Sequence, residues 1–262
     1  MKNKIKIIFV DIDWTIYDHS NGNHVFDLDS IEALKRCQQK GILVFLCTAR
    51  PYHSTKQTGL LDIFNPDGMI LCNGGIVIKN NEIIYEKVLN PELFEKMCEV
   101  ILSHHLTLEA SEPFHRFLIA PKTDAVDYVF ESFFEEMPEV EDYHNRHVIT
   151  SMIFASKEYD EILKNELPKE LSTYRFHDYG VDVLDNPHEK GDGVKFVLNY
   201  LDINKDNAAA FGDDLGDISM FEEVKYTYCM GNGKEELKKK AKMIIEPVMD
   251  HGVKKAIEKY IL

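Results

Sequence analysis

The run Ile5-Lys6-Ile7-Ile8-Phe9-Val10 stops abruptly on Asp11-Ile12-Asp13-Trp14-Thr15. A short β-branched run of this kind reads as a buried strand, and the carboxylates that follow it sit at the carboxyl edge of a sheet, where open α/β sheets bind their ligands. The pattern recurs three times. Ile42-Leu43-Val44-Phe45-Leu46-Cys47 ends on Thr48-Ala49-Arg50-Pro51, Gly68-Met69-Ile70-Leu71-Cys72 ends on Asn73-Gly74-Gly75, and Ala208-Ala209-Ala210-Phe211 ends on Gly212-Asp213-Asp214-Leu215-Gly216-Asp217. Between the first two runs, Asp29-Ser30 opens a helix striped by Ile31, Leu34 and Cys37, and Gly41 closes it. Strand, helix, strand is the repeating unit of a parallel sheet. One acidic pair at a strand end is weak by itself, because Asp is common wherever a strand gives way to a loop.

Asn21-Gly22-Asn23 marks a tight turn, and Asn80-Asn81 turns a hairpin between Ile76 to Ile78 and Ile83 to Tyr85. From about Asn90 the texture changes to longer amphipathic helices and alternating strands. Pro91 opens a helix through His105, and Leu106 to Ala110 and His115 to Ala120 read as antiparallel strands. Asp124 to Glu136 is again helical, and Val148 to Ala155, a helix from Glu158 to Glu166, and Thr173 to Leu184 complete the unit. The parallel pattern then resumes with a helix over Lys190 to Tyr200. After the run 208–211 come a helix from Ile218, a strand at Tyr226 to Met230, a helix over Lys234 to Ala241, a strand at Met243 to Ile245 and a closing helix from Gly252 to Ile261. The expected architecture is an α/β protein: a doubly wound, mostly parallel, Rossmann-like core sheet over 1–80 and 185–262, with an inserted α+β cap domain over 81–184.

A formal net charge of -15 disfavours nucleic acid and anionic membrane as general partners, since both repel an acidic surface. Any phosphate must then be bound locally, through a metal or a few cations. The five cysteines are widely spread without a Cys-x-x-Cys pair, which suggests neither a disulfide framework nor a zinc ribbon and fits a reducing, cytoplasmic location. No stretch is long enough to span a bilayer, and the opening apolar run is too short for a signal peptide.

Acids from distant positions gathered at one sheet edge suit Mg²⁺, which takes oxygen ligands. With Lys190 as a fixed cation and the Thr48 hydroxyl, the set suits a phosphoryl group in transfer. Asp11 is the candidate nucleophile, and Asp13, two residues on, the candidate acid and base.

Asp11-Ile12-Asp13-x-Thr15, Leu46-Cys47-Thr48-Ala49-Arg50, Glu189-Lys190-Gly191 and Gly212-Asp213-x-x-x-Asp217 resemble, in this order, the four motifs of the haloacid dehalogenase superfamily. The large insertion between the second and third motifs, with Cys72-Asn73-Gly74-Gly75 and Met230-Gly231-Asn232-Gly233, is similar to its Cof-type phosphatases. The resemblance covers essentially the whole chain. It implies a mobile α/β cap, Mg²⁺ dependence and hydrolysis of small phosphate monoesters through an aspartyl-phosphate on Asp11. It also implies Asp13 as acid/base with a backbone oxygen on the metal, Thr48 and Lys190 on the phosphate, and Asp213 on the metal. Trp14 departs from the family's usual Gly, and Gly216 from a common Asn. The Trp14 ring either narrows the phosphate pocket, stacks on a substrate or packs under the flap.

Several roles remain open at the level of sequence. Asp217 either joins Asp11, Asp13 and Asp213 around the metal or orients Lys190, and Asp214 either serves the site or caps a helix. Arg50 either contacts phosphate or cap or pairs with a surface acid, and Asn73 either touches substrate or serves its turn. His115, Arg116, His177 and Asp178 are cap candidates for leaving-group recognition, most of them expected at the solvated surface. His104-His105 ends a helix, and Lys238-Lys239-Lys240 is a wet helix face. The expected partner is a small phosphorylated metabolite, sugar phosphates first, with oligomeric state open. Two alternatives stand beside phosphatase: a phosphotransferase or phosphomutase, and a weakly active phosphate-ligand sensor.

Overall fold

The computed structural model describes residues 5–22, 24–120, 122–133, 136–185 and 188–262. Asn23 of the expected turn, residues 134–135 of the expected helix, and positions 1–4, 121 and 186–187 of the expected domains lie outside the described residues. The chain divides into two compact units, one made of Met1–Arg50, Gly59–Tyr85 and Glu189–Leu262, the other of Pro51–Thr58 and Glu86–His188.

The first unit begins with β1 (Ile7–Val10), every residue of which is buried. A small two-stranded flap follows, β2 (Tyr17–Asp18) against β3 (Val25–Phe26). Helix α1 (Leu28–Gln39) starts on Asp27, whose carboxylate accepts from the Ser30 amide at 3.1 Å, and it buries Ile31, Ala33, Leu34 and Cys37. Next come β4 (Leu43–Cys47), the short helices α2 (Tyr52–Gln57) and α3 (Leu60–Ile63), β5 (Gly68–Leu71), β6 (Ile76–Lys79) and β7 (Glu82–Glu86). Phe45 and Gly68 are aligned neighbours, and a Cβ at Gly68 would overlap the Phe45 ring, so the glycine makes room for it.

In the second unit, α4 (Pro91–Ser103) is capped by Asn90, which accepts from the amides of Glu92 and Leu93. Then follow β8 (Thr107–Ser111), β9 (Arg116–Ile119), α5 (Asp124–Phe133), β10 (Thr150–Phe154), α6 (Asp160–Glu166), β11 (Leu171–Arg175) and β12 (Gly180–Asp185). The stretch 173–184, undivided in the sequence pattern, is a hairpin here: His177 and Gly180 exchange backbone hydrogen bonds of 3.3 and 3.2 Å. Helix α5 is described over Asp124–Phe133, and Glu136 is no longer helical, short of the span expected to Glu136. The sheet runs β11-β12-β10-β8-β9, antiparallel throughout. Alternation gives it two faces. One packs Leu108, Ala110, Phe117, Ile119, Ile153, Val181 and Val183 against Phe94, Met97, Cys98 and Ile101 of α4 and Leu163 of α6. The other packs Leu118 and Phe154 against Val126, Val129 and Phe130 of α5.

The chain returns through α7 (Lys190–Tyr200), β13 (Ala208–Gly212), α8 (Ile218–Glu222), β14 (Tyr226–Cys229), α9 (Glu235–Lys240), β15 (Met243–Ile244) and α10 (Gly252–Ala256). The completed sheet has the order β15-β14-β13-β1-β4-β5-β6-β7, with the pairs from β15 to β5 parallel and β5 to β6 antiparallel. Ile7, Phe9, Phe45, Cys47, Ala208 and Ala210 pack with Val194, Val197 and Leu198 of α7 and Met220 and Phe221 of α8. Helices α1 and α10 pack together and α1 lies on β4, so the sheet is wound on both faces. That double cover explains why its central strands read as unbroken apolar runs. Among the described residues no helix is long and apolar enough to cross a membrane.

Candidate active site

Register brings the polar strand ends together. Val10 aligns with Leu46 of β4 and Phe211 of β13, so Asp11, Thr48 and Asp213 leave the sheet within one residue of a common level. Lys190 enters from the first position of α7 and is buried with Asp11, Asp213 and Asp217. Its Nζ donates to Asp11 Oδ1 and to Asp217 Oδ1, both at 2.6 Å. Thr15 is fully buried, and its hydroxyl lies 3.4 Å from Asp213 Oδ1. Asp217 uses its second oxygen to accept from the amides of Asp213 at 2.9 Å and Asp214 at 3.1 Å. A Cβ at Gly212 would lie 2.5 Å from that carboxyl, so only glycine lets Asp217 fold back over the strand end. Asp217 thus contacts Lys190 with one oxygen and the strand-end amides with the other, and Asp214 caps its turn by accepting from the Leu215 amide at 2.7 Å.

One lysine faces three buried carboxylates, and the imbalance is visible in their titration. Burial pushes Asp11 up to about 7, with the Lys190 charge opposing it and Asp217 and Asp13 adding to it. Burial, reinforced by the charges of Asp11 and Asp217, pushes Asp213 up to about 9. Burial alone would lower Lys190, but Asp11 and Asp217 outweigh it and hold the ammonium well above its ordinary value. Oxygens of Asp11, Asp213 and Asp217 all lie within 4.8 Å of one another. A desolvated site with surplus negative charge and an all-oxygen donor set is the chemistry of a hard divalent cation.

Asp13 is not in that cluster. Its carboxylate is gripped by Arg50, Nε to Oδ2 at 2.8 Å and Nη2 to Oδ1 at 2.8 Å, and by His19 Nε2 to Oδ1 at 2.6 Å. Burial raises this carboxyl, but the hydrogen bonds from His19 and Arg50 more than offset it and hold Asp13 well below the usual carboxylate range. The guanidinium of Arg50 is thus paired with the half-buried Asp13, neither of the partners that the sequence pattern suggested. Sequence reasoning missed His19 altogether; a histidine pair flanking the Asn21-Gly22 turn, His19 and His24, was the available signal.

Thr48 is buried, and its hydroxyl accepts from the Arg50 amide at 3.1 Å. The Asn73 backbone amide donates to the Thr48 carbonyl at 3.1 Å, and Asn73 has φ 53, a left-handed conformation that Asn tolerates. At Gly216 a Cβ would meet nothing within 4 Å. In the second unit Arg116 is buried, one of the four cap candidates that does not lie at the solvated surface: it lies 3.8 Å from Glu109, donates to Gln57 Oε1 at 2.9 Å and stands 5.2 Å from the Phe130 ring centre. His115 pairs with Glu141 at 2.7 Å, His104 with Glu166 at 2.8 Å, and exposed Asp178 with Lys157 at 2.9 Å. His177 turns the β11–β12 hairpin.

A family model described as haloacid dehalogenase-like hydrolase matches residues 8–257. YkrA of Bacillus subtilis (strain 168) is 27% identical over 256 residues, covering 97% of this chain and 96% of YkrA. Phosphoglycolate phosphatase 1 of Saccharolobus solfataricus is 27% identical over 259 residues, covering 98% of this chain and 96% of that protein. A Geobacillus kaustophilus HTA426 protein of known structure matches with TM-score 0.90 and 26% identity over 97% of this chain and 98% of its own. The sugar phosphatase BT4131, of HAD subclass IIB, shares the fold with TM-score 0.79 and 24% identity over 98% and 100% of the two chains. Strand order, the four polar strand ends and a family match over nearly the whole chain agree: the chain belongs to the haloacid dehalogenase-like hydrolases.

Proposed function

We propose that the chain is a Mg²⁺-dependent phosphatase of small phosphorylated metabolites, sugar phosphates foremost. The observation that carries it is the Asp11 carboxylate, buried and aimed by Lys190 into the acidic cluster at the sheet edge. In this reading 1–80 and 185–262 form the catalytic core, and 81–184 is the inserted cap domain that selects the leaving group. The free cysteines, all buried, fit a reducing cytoplasm.

An oxygen of Asp11 attacks phosphorus while the bond from phosphorus to the ester oxygen breaks, and the departing oxygen takes a proton from Asp13. Water then attacks the aspartyl-phosphate, Asp13 accepts its proton, the bond to Asp11 breaks and inorganic phosphate leaves. The Arg50 and His19 clamp keeps Asp13 ionised, which serves the second half. For the first half the clamp must release an oxygen and that oxygen must take up a proton from water, which Asp13 then passes to the departing oxygen. Lys190, the Thr48 hydroxyl, Arg50 and Asn73 are assigned to the phosphoryl oxygens. Asp11, Asp213 and Asp217, with Asp13 through its backbone oxygen, would hold Mg²⁺. Bound there, the ion supplies Lewis-acid stabilisation of the phosphoryl charge.

Purified protein with Mg²⁺ is expected to release inorganic phosphate from hexose phosphates with water as the acceptor. Phosphate transfer that appears only when an acceptor sugar is added would instead identify a phosphotransferase, and binding without turnover a sensor.

The metal assignment has its own signature. A buried acid raised in the folded state contributes stability that is fully present below its ordinary value of 3.8 and is lost as pH rises through about 7 for Asp11 and about 9 for Asp213. Mg²⁺ must displace those protons, so the rise in Tm on adding Mg²⁺ is expected to grow from about pH 6 to about pH 9. Asp213→Asn should flatten that dependence; a Mg²⁺ shift independent of pH would remove the acids from the metal site.

A further inference from the structure

Position 14 lies between Asp13, held in the Arg50 and His19 clamp, and Thr15, whose hydroxyl faces Asp213. The turn that closes β1 draws the amides of Thr15, Ile16 and Tyr17 onto the Ile12 carbonyl, and it forces residue 14 to φ 58. Glycine adopts that conformation freely, whereas a bulky L residue is strained there. Trp14 nevertheless occupies it and is 39% exposed.

The indole is only partly covered by the fold. The flap is held by the Tyr17 ring stacked on Phe26 at 4.2 Å, with His19 edge-on to Tyr17 at 4.5 Å. The Trp14 ring rests on His19 at 5.5 Å, the same imidazole that bonds the Asp13 carboxylate. Its mount is stiff, because the Trp14 amide donates to the Tyr17 carbonyl at 2.7 Å and its carbonyl accepts from Asn232 Nδ2 at 2.9 Å. Asn232 is itself fixed by the Val248 amide at 2.9 Å. The molecule thus spends backbone strain to hold an open aromatic face one imidazole away from the acid that handles the leaving oxygen.

We propose that Trp14 is a specificity-determining wall that takes the flat apolar C–H face of a sugar ring in the leaving group, favouring cyclic phosphate esters over short acyclic ones. This rests on the phosphatase reading. An aromatic wall stacked on a ring acts on the bound ground state, so it moves KM more than kcat.

Glucose-6-phosphate and glycerol-3-phosphate are primary alkyl esters of matched leaving-group chemistry that differ in having a ring. In the Trp14→Gly variant the ratio of kcat/KM for the first over the second is expected to fall about five- to tenfold, chiefly through KM, with Trp14→Phe retaining most of it. An independent readout uses the chain's single tryptophan in the Asp11→Asn variant. Its emission, excited where tyrosine is silent, should change when glucose-6-phosphate binds and stay constant with glycerol-3-phosphate. An unchanged ratio in Trp14→Gly, or emission indifferent to glucose-6-phosphate that calorimetry shows to be bound, overturns the inference. If the wild type hydrolyses neither ester, the phosphatase reading itself falls and takes this one with it.

Discussion

Asp11→Asn is expected to lower kcat by about four orders of magnitude or more, because the amide cannot attack phosphorus and no neighbouring carboxylate can replace it. Asp217 is committed to Lys190 and two amides, and Asp13 to Arg50 and His19. Folding should survive the change. Ionised Asp11 opposes the folded state once pH exceeds about 7, so at about pH 8 the Asn variant should melt no lower than the wild type in the absence of Mg²⁺. Turnover within about tenfold of wild type would remove Asp11 as the nucleophile. A large loss of Tm would show that the carboxylate has a structural role that the charge imbalance does not predict.

Lys190→Met should produce the opposite combination, loss of activity together with loss of stability. Lys190 is buried and is the cation bonded to both Asp11 and Asp217. Removing it leaves a desolvated acidic cluster uncompensated, which for a broken buried ion pair costs about 3–5 kcal/mol. Part of that loss should return when Mg²⁺ is added, since a divalent cation can balance the same carboxylates. Denaturant unfolding with and without Mg²⁺ measures both quantities. A variant within about 1 kcal/mol of wild type without Mg²⁺ would mean that another group balances the cluster. Lys190→Arg tests geometry separately from charge: the planar guanidinium keeps the charge but cannot reproduce the two short contacts of a compact ammonium, so stability should recover more than rate.

Much of the core was legible because its signals are local. Each central parallel strand is covered on both faces, which leaves an unbroken apolar run, and each ends on the polar residues it delivers to the site. Asp11, Thr48 and Asp213 follow from that placement, whereas Lys190 comes from the first position of α7. The antiparallel unit was less legible at its edges. Nothing local in 173–184 marks where β11 ends and β12 begins, because the turn is closed by His177 and Gly180 across the hairpin. Which of the four cap candidates would be buried was not legible, because the shelter of Arg116, from Glu109, Gln57 and Phe130, comes from three other elements.

By itself, the sequence determined the order of strands and helices, the doubly wound core and the acids that reach its carboxyl edge. These depend on periodicity and on where apolar runs stop, which neighbouring residues encode. Only the tertiary structure decided what those side chains do to one another. Arg50 meets Asp13 across 37 positions of chain, His19 reaches the same carboxylate from the flap, and Lys190 bridges acids 179 and 27 positions away. Pairing at such separations depends on strand register and turn geometry, and so does the left-handed backbone that sets the Trp14 ring against His19. No local pattern carries that information, because each partner is supplied by a different element of the fold.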